Sequence, residues 1–170
     1  YAKAKDLKWV HCLMSGVDKM RVLGSEKVIL TSTKGTHGVP LSEHVLAMML
    51  CAARRLHLAR DNQHGKCWTR PSGIAELRGA TVGIVGLGCI GTEVARLLGA
   101  VGMNVIATAS SRPSPERMAM ISEYYSKERF DDFLAVCDYI VLSVPLTSET
   151  RHMFAREQFK RMKPNAWIVN

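Results

Sequence analysis

The sequence predicts an α/β fold built as a doubly wound parallel sheet. Short apolar runs of strand length alternate with segments of helical periodicity along the 170 residues. One of these runs, Thr81 to Val85, ends in Gly86-Leu87-Gly88-Cys89-Ile90-Gly91. An amphipathic helix follows at once, with Ile90, Val94, Leu97, Leu98 and Val101 on one face.

The elements follow in order. Residues 1–10 open with a basic, helix-compatible segment. Lys8 to Met14 reads as a buried strand running into the turn Ser15-Gly16-Val17-Asp18, and Lys27 to Thr31 reads as a second strand. The polar loop Ser32 to Gly38 follows. Pro40 and Ser42 open a long helix, with Ser42 as N-cap and Glu43 in its first turn. Apolar residues nearly all round this helix (Leu41, Val45, Met48, Met49, Ala52 and Leu56 on one side, Leu46, Leu50 and Ala53 on another) predict burial, between two domains. Arg54, Arg55, His57 and Arg60 gather at its C-terminal end, where cations suit the dipole, and Asn62 to Gly73 reads as a loop. After the glycine motif, Asn104 to Thr108 is a strand and a short helix begins near Glu116. Ser126 caps a brief helix carrying Phe130, Phe133 and Leu134. Tyr139 to Val144 is a strand ended by Pro145, Ser148 to Met162 is helical, and Ala166 to Val169 is a final strand. No internal repeat is apparent.

Composition narrows the class. Hydrophobic residues make up 47% of the chain, which predicts a globular protein with a real core. No apolar run reaches the roughly 18 residues of a membrane span. Lys3, Lys5 and Lys8 break up any leader-like segment, so no signal peptide is expected. The five cysteines are odd in number and form no Cys-x-x-Cys pair, which predicts a reducing, cytoplasmic compartment. The six histidines lack ligand spacing, so no metal site is expected. The net charge of +8 is spread along the chain without an aromatic-basic stripe. A solvated surface and an anionic small ligand account for it, and nucleic acid is disfavoured.

The glycine stretch supplies that ligand. Between a strand and a helix, Gly86 permits a tight turn, Gly88 lets the backbone approach a pyrophosphate, and Gly91 lets helix and strand pack closely. The helix N-terminus offers free N–H groups to the phosphate charge, so Gly86, Leu87, Gly88, Cys89, Ile90 and Gly91 are the candidate cofactor residues. In dinucleotide folds an Asp or Glu at the end of the next strand binds the adenosine ribose of NAD. Here that position is Ala109, eighteen residues past Gly91, followed by Ser110, Ser111 and Arg112. Hydroxyls and a guanidinium suit a 2′-phosphate, which predicts NADP in preference to NAD.

Several further motifs stand in a recognisable order: Ser15-Gly16-Val17-Asp18, Ser42-Glu43-His44-Val45-Leu46-Ala47-Met48-Met49-Leu50 with Arg54 after it, Leu77-Arg78-Gly79, Cys137 to Thr150, and Met162-Lys163-Pro164-Asn165-Ala166-Trp167-Ile168-Val169-Asn170. With them, nearly the whole chain resembles the D-isomer-specific 2-hydroxyacid dehydrogenases, in the glyoxylate/hydroxypyruvate reductase and phosphoglycerate-dehydrogenase-like branch. The resemblance implies a Rossmann-type coenzyme domain inserted in a discontinuous, flavodoxin-like substrate domain. Residues 1–38 would end the first substrate-domain segment, and residues 39–170 would be the interdomain helix and an incomplete coenzyme domain. It implies that Val144 and Pro145 border the cofactor, that Ser15 and Gly16 offer N–H groups to the substrate carboxylate, and that the full-length protein is a homodimer acting on a small 2-oxo acid. In the family an Arg binds the carboxylate and polarises the carbonyl, a His protonates the substrate oxygen as hydride arrives, and a Glu sets that imidazole's pKa. All three are expected beyond Asn170, so the chain reads as an internal fragment carrying no catalytic residue. His11, His37 and His44 are expected to serve packing or surface. A dinucleotide-sensing regulatory module of the same fold is the alternative; the presence or absence of that Arg, Glu and His distinguishes them. An S-adenosylmethionine enzyme is disfavoured because that class keeps an acid where Ala109 stands.

Overall fold

The computed structural model describes residues 4, 6–13, 16 and 28–170. Near the start, β1 (Trp9–Cys12) and β2 (Ile29–Ser32) pair in parallel as a two-stranded sheet of their own. The main sheet has five parallel strands: β3 (Thr81–Val85), β4 (Asn104–Thr108), β5 (Glu123–Tyr125), β6 (Tyr139–Leu142) and β7 (Trp167–Val169). Their spatial order is β5-β4-β3-β6-β7. The chain therefore starts in the centre, winds outward through β4 and β5, then returns to lay β6 on the other side of β3. The order reverses between β3 and β6, which is where doubly wound sheets place their ligands.

Both faces of the sheet are covered, and the strands alternate accordingly. Val82, Ile84, Val105, Ala107, Tyr139 and Val141 pack on one side with α3 (Cys89–Ala100) and α1 (Gly38–Ala53). Val85, Ile106 and Ile140 point to the other, against Phe133, Leu134 and Cys137 of α5 (Phe130–Val136) and its end. The period of two gives each central strand two buried faces, as a parallel sheet requires. At the N-terminal edge, Asp138 ties three elements: it accepts from the Thr81 N–H at 2.9 Å and from the Lys163 ammonium at 2.8 Å. Burial alone would raise its carboxyl, but those two partners outweigh it and hold it below the usual carboxylate range.

Several expectations are corrected. Helix α1 begins at Gly38, so Ser42 is not its N-cap and Glu43 is not in its first turn. Pro40 is compatible with the earlier start because first-turn N–H groups have no intrahelical acceptor. Ser42 is buried instead, its hydroxyl donating to the Val39 carbonyl at 2.8 Å. Among the described residues α1 is buried on one face only, with Leu41, Met48 and Leu50 exposed. It also breaks: Arg55 takes a left-handed φ of 55°, and α2 (Leu56–His64) runs on where a loop was expected from Asn62. The expected helix from Ser148 shrinks to α6 (Arg156–Arg161). Thr147 and Thr150 hold the preceding turn through reciprocal side-chain bonds, and the Thr150 hydroxyl donates to the Pro145 carbonyl at 2.6 Å. Such local bonds compete with helix formation. Strand β5 was not anticipated. The short helix near Glu116 is α4 (Pro115–Met118), and Ser126 stands at the N-cap of a 3-10 turn, Lys127–Arg129, that leads into α5. No described helix is long and apolar enough to cross a membrane.

Candidate functional site

Three strand ends converge at the switch point. Val85, the last residue of β3, pairs with Thr108 on one side and Leu142 on the other. The Gly86 N–H continues the ladder, donating to the Thr108 carbonyl at 2.8 Å. The Ser143 N–H does the same toward the Val85 carbonyl at 2.9 Å. The glycine turn thus leaves the sheet between Ala109, just past the end of β4, and Val144, which follows β6.

The three glycines have different surroundings. Gly86 has φ +95°, a backbone region open chiefly to glycine, and a Cβ there would meet the Val144 side chain at 2.8 Å and the Ser143 carbonyl at 2.9 Å. Gly91 is buried on the inner face of α3, where a Cβ would collide with the Gly86 carbonyl oxygen and stand 2.7 Å from the Ser143 hydroxyl. Gly88 is the opposite case: a Cβ there would meet nothing within 4 Å. One glycine makes the bend, one lets helix and strand touch, and one leaves a bare backbone facing open space.

That space lies in front of an uncapped helix. Gly88 is the N-cap of α3, no side chain caps it, and its first turn carries no acidic residue. The leading N–H groups of any α-helix lack intrahelical acceptors. Here those of Cys89 and Ile90 carry the positive end of a 12-residue dipole. Cys89 is exposed and Ile90 half-buried. The arrangement suits a diphosphate: backbone donors, no competing carboxylate, and room where a side chain would otherwise stand. The residues present therefore fit a dinucleotide.

Ser110, Ser111 and Arg112 follow β4 and are exposed. No ion pair with a carboxylate occupies Arg112 among the described residues. The Ala109 carbonyl before them accepts from the Tyr124 hydroxyl at 3.1 Å, which fixes where this segment leaves the sheet. Val144 is half-buried against Gly86, and Pro145 is exposed beside it. Of the predicted substrate turn, Gly16 is exposed, while Ser15, Val17 and Asp18 lie outside the described residues. Sequence reasoning passed over Ser143 as a site residue. Its hydroxyl reaches both the Val85 carbonyl (3.1 Å) and the Gly86 carbonyl (2.6 Å), across 57 or more positions of chain.

Two surface concavities lie elsewhere. One is lined by α2 and the loop through Trp68 and Arg70, the other by Arg55, Asp138, Tyr139 and Trp167 at the N-terminal edge of the sheet. Neither contains a residue of the glycine turn. No group of three or more potential metal ligands occurs among the described residues.

Comparison with known proteins agrees with this geometry. Residues 46–170 match the model of the D-isomer specific 2-hydroxyacid dehydrogenase NAD binding domain. The chain is 37% identical to a D-3-phosphoglycerate dehydrogenase of Methanocaldococcus jannaschii, a match that covers 99% of this chain and 32% of that protein. Among solved structures, a D-isomer specific 2-hydroxyacid dehydrogenase family protein from Aeromonas salmonicida superposes with a TM-score of 0.85 at 29% identity, over 98% of this chain and 53% of that one. An NADPH-dependent glyoxylate/hydroxypyruvate reductase from Sinorhizobium meliloti, in complex with NADP and sulfate, superposes with a TM-score of 0.76 at 31% identity, over 92% of this chain and 49% of that one. The chain thus spans a third to about half of the relatives it matches. A five-stranded parallel sheet, a glycine turn at its switch point and a family match over most of the sequence lead to one assignment: the chain belongs to the D-isomer-specific 2-hydroxyacid dehydrogenase family and carries its NAD-binding domain.

Proposed function

We propose that this chain is the coenzyme-binding part of an oxidoreductase that reduces a small 2-oxo acid, such as glyoxylate or hydroxypyruvate, with a nicotinamide dinucleotide. The observation that carries the reading is the uncapped N-terminus of α3 at the sheet's switch point, with the open face of Gly88 before it. The dinucleotide, when bound, supplies the hydride. The chain's own residues bind and orient. The N–H groups of Leu87, Gly88, Cys89 and Ile90 hold the pyrophosphate, while Val144 and Pro145 border the cofactor on the β6 side.

NADP is the preferred form. Ala109 offers no carboxylate to repel a 2′-phosphate, and Arg112, without an ion pair among the described residues, provides with Ser110 and Ser111 a cation and two hydroxyls for it. The two-domain organisation is part of the same reading: residues 1–38 end a substrate-domain segment and 39–170 form the interdomain helix and coenzyme domain. Ser15 and Gly16 would meet the substrate carboxylate. The catalytic Arg, Glu and His belong to sequence outside these 170 residues, so the piece alone is expected to turn over no substrate. Exposed Leu56, Leu58 and Trp68 support a homodimer of the full-length protein, and the five free cysteines support a cytoplasmic setting.

Calorimetric titration of the full-length protein with NADPH and NADH, followed by rate measurements with glyoxylate and hydroxypyruvate, tests the reading. Tight binding, stronger for NADPH, with turnover of either acid is the expected result. Failure to bind either dinucleotide refutes it, and binding without turnover of any 2-oxo acid points instead to a dinucleotide-sensing module.

A further inference from the structure

We propose that Ser143 is a positioning residue for the cofactor, which sets the glycine turn by holding the Gly86 carbonyl; this rests on the dinucleotide reading above. The Ser143 hydroxyl has one proton and two carbonyls in reach. The Val85 carbonyl already accepts from the Ser143 N–H at 2.9 Å, and the hydroxyl lies nearer the Gly86 oxygen, 2.6 Å against 3.1 Å. The proton therefore goes to Gly86. Among the described residues this hydroxyl is the one hydrogen-bond donor to that carbonyl.

The constraint matters because the other bonds of the turn, Gly86 N–H to the Thr108 carbonyl at 2.8 Å and the Thr92 hydroxyl to the Leu87 carbonyl at 3.3 Å, fix the peptides on either side and leave the Gly86–Leu87 peptide to Ser143. Gly86 at φ +95° has no side chain to limit rotation of its peptide, and Gly88 borders open space. The Gly86 oxygen is also pressed toward Gly91, at the first turn of α3. The carbonyl thus meets both a hydroxyl from the β6 end and the backbone of α3. Fixing the carbonyl fixes the plane of the Gly86–Leu87 peptide, since C=O and N–H are coplanar and opposed. It also fixes the path by which the chain delivers the Cys89 and Ile90 N–H groups. Loss of the hydroxyl leaves a carbonyl without its donor and a peptide free to turn. Ser143 touches neither the reacting atoms nor the pyrophosphate in this scheme; it acts through Gly86.

The test is Ser143→Ala in the full-length protein. Calorimetry is expected to show affinity for NADPH and NADH weakened about tenfold, equivalent to about 1.4 kcal/mol. Amide exchange at Leu87 to Ile90 should quicken, while kcat at saturating cofactor stays within twofold. A purely structural role predicts a lower melting temperature with unchanged affinity in the folded fraction, and that outcome overturns the proposal. Should Ser143→Ala not fold, Ser143→Thr decides, because it keeps the donor: affinity within threefold of the parent supports the proposal and a tenfold loss overturns it. A parent protein that binds neither dinucleotide sinks the dinucleotide reading and this inference together. A parent that binds normally beside an unaffected Ser143→Ala variant sinks this inference alone.

Discussion

Two glycines three residues apart should respond in opposite ways to the same methyl group. In Gly91→Ala the new Cβ meets the Gly86 carbonyl oxygen and stands 2.7 Å from the Ser143 hydroxyl. The nearest obstacle is backbone, so α3 must back away from β3. Overpacking of this kind costs about 1–3 kcal/mol, and alanine's better helix propensity returns roughly 1. Because no side chain can swing aside, the upper end applies, and a net loss of about 2 kcal/mol is expected. At roughly 2–4 °C per kcal/mol for a chain of this size, the melting temperature falls by about 4–8 °C. In Gly88→Ala the new Cβ meets nothing within 4 Å, and φ is −75°, which alanine adopts freely. The weaker N-cap and the stiffer unfolded chain roughly cancel, so the melting temperature moves by less than about 2 °C. On the proposed reading, however, the methyl stands where the pyrophosphate approaches. Losing even one charge-assisted hydrogen bond, about 1.5–3 kcal/mol, weakens dinucleotide binding by roughly 10- to 100-fold. Differential scanning fluorimetry and calorimetry on the two variants separate the effects. A Gly88→Ala protein that binds NADPH and NADH as tightly as the parent would show that the pyrophosphate lies elsewhere. An unchanged melting temperature for Gly91→Ala would refute the close helix–strand contact.

Further outcomes follow from individual side chains. Arg112→Ala should weaken NADPH about tenfold and leave NADH within twofold, measured by competing titrations; equal losses for both would remove the 2′-phosphate role. In a Cys67→Ser background, N-ethylmaleimide should label the exposed Cys89 and abolish dinucleotide binding, and bound NADPH should protect it. Labelling that leaves binding intact would contradict the placement of Cys89 at the pyrophosphate. Cys137 behaves differently: burial pushes its thiol up to about 12, so it should resist the same reagent at pH 8 in the folded protein. Its folded pKa exceeds its unfolded value near 9.0, so the unfolded chain loses this proton first. The stabilisation is therefore complete below about pH 9 and is lost as pH rises toward 12, at up to about 1.4 kcal/mol per pH unit. Urea denaturation at pH 8 and pH 10.5 checks this. The pH slope should shrink in Cys137→Ala, and an equal slope would assign the alkaline loss to other groups.

What could be read from the sequence was local. Strand β3, the turn and α3 declare themselves through an apolar run, three glycines and a helical stripe within some twenty residues, and Asn104–Thr108 was found with its observed bounds. Errors arose where a local signal was outvoted. Periodicity from Ser148 onward suggested a helix, yet Thr147 and Thr150 spend their hydroxyls on the backbone and on each other, and helix begins only at Arg156. Strand β5 is a three-residue edge strand, with Glu123 exposed and only Tyr125 buried, too short for alternation to register. Ser143 illustrates the deeper limit. Nothing next to it in sequence marks it out, because its partner is 57 residues away. Its position opposite Gly86 exists only once β6 has paired beside β3 with Leu142 against Val85. A slip of one residue would turn the hydroxyl to the other face of the sheet. The motif therefore points to a phosphate site from sequence alone, whereas the side chain that bonds the turn becomes visible only through the register of the sheet.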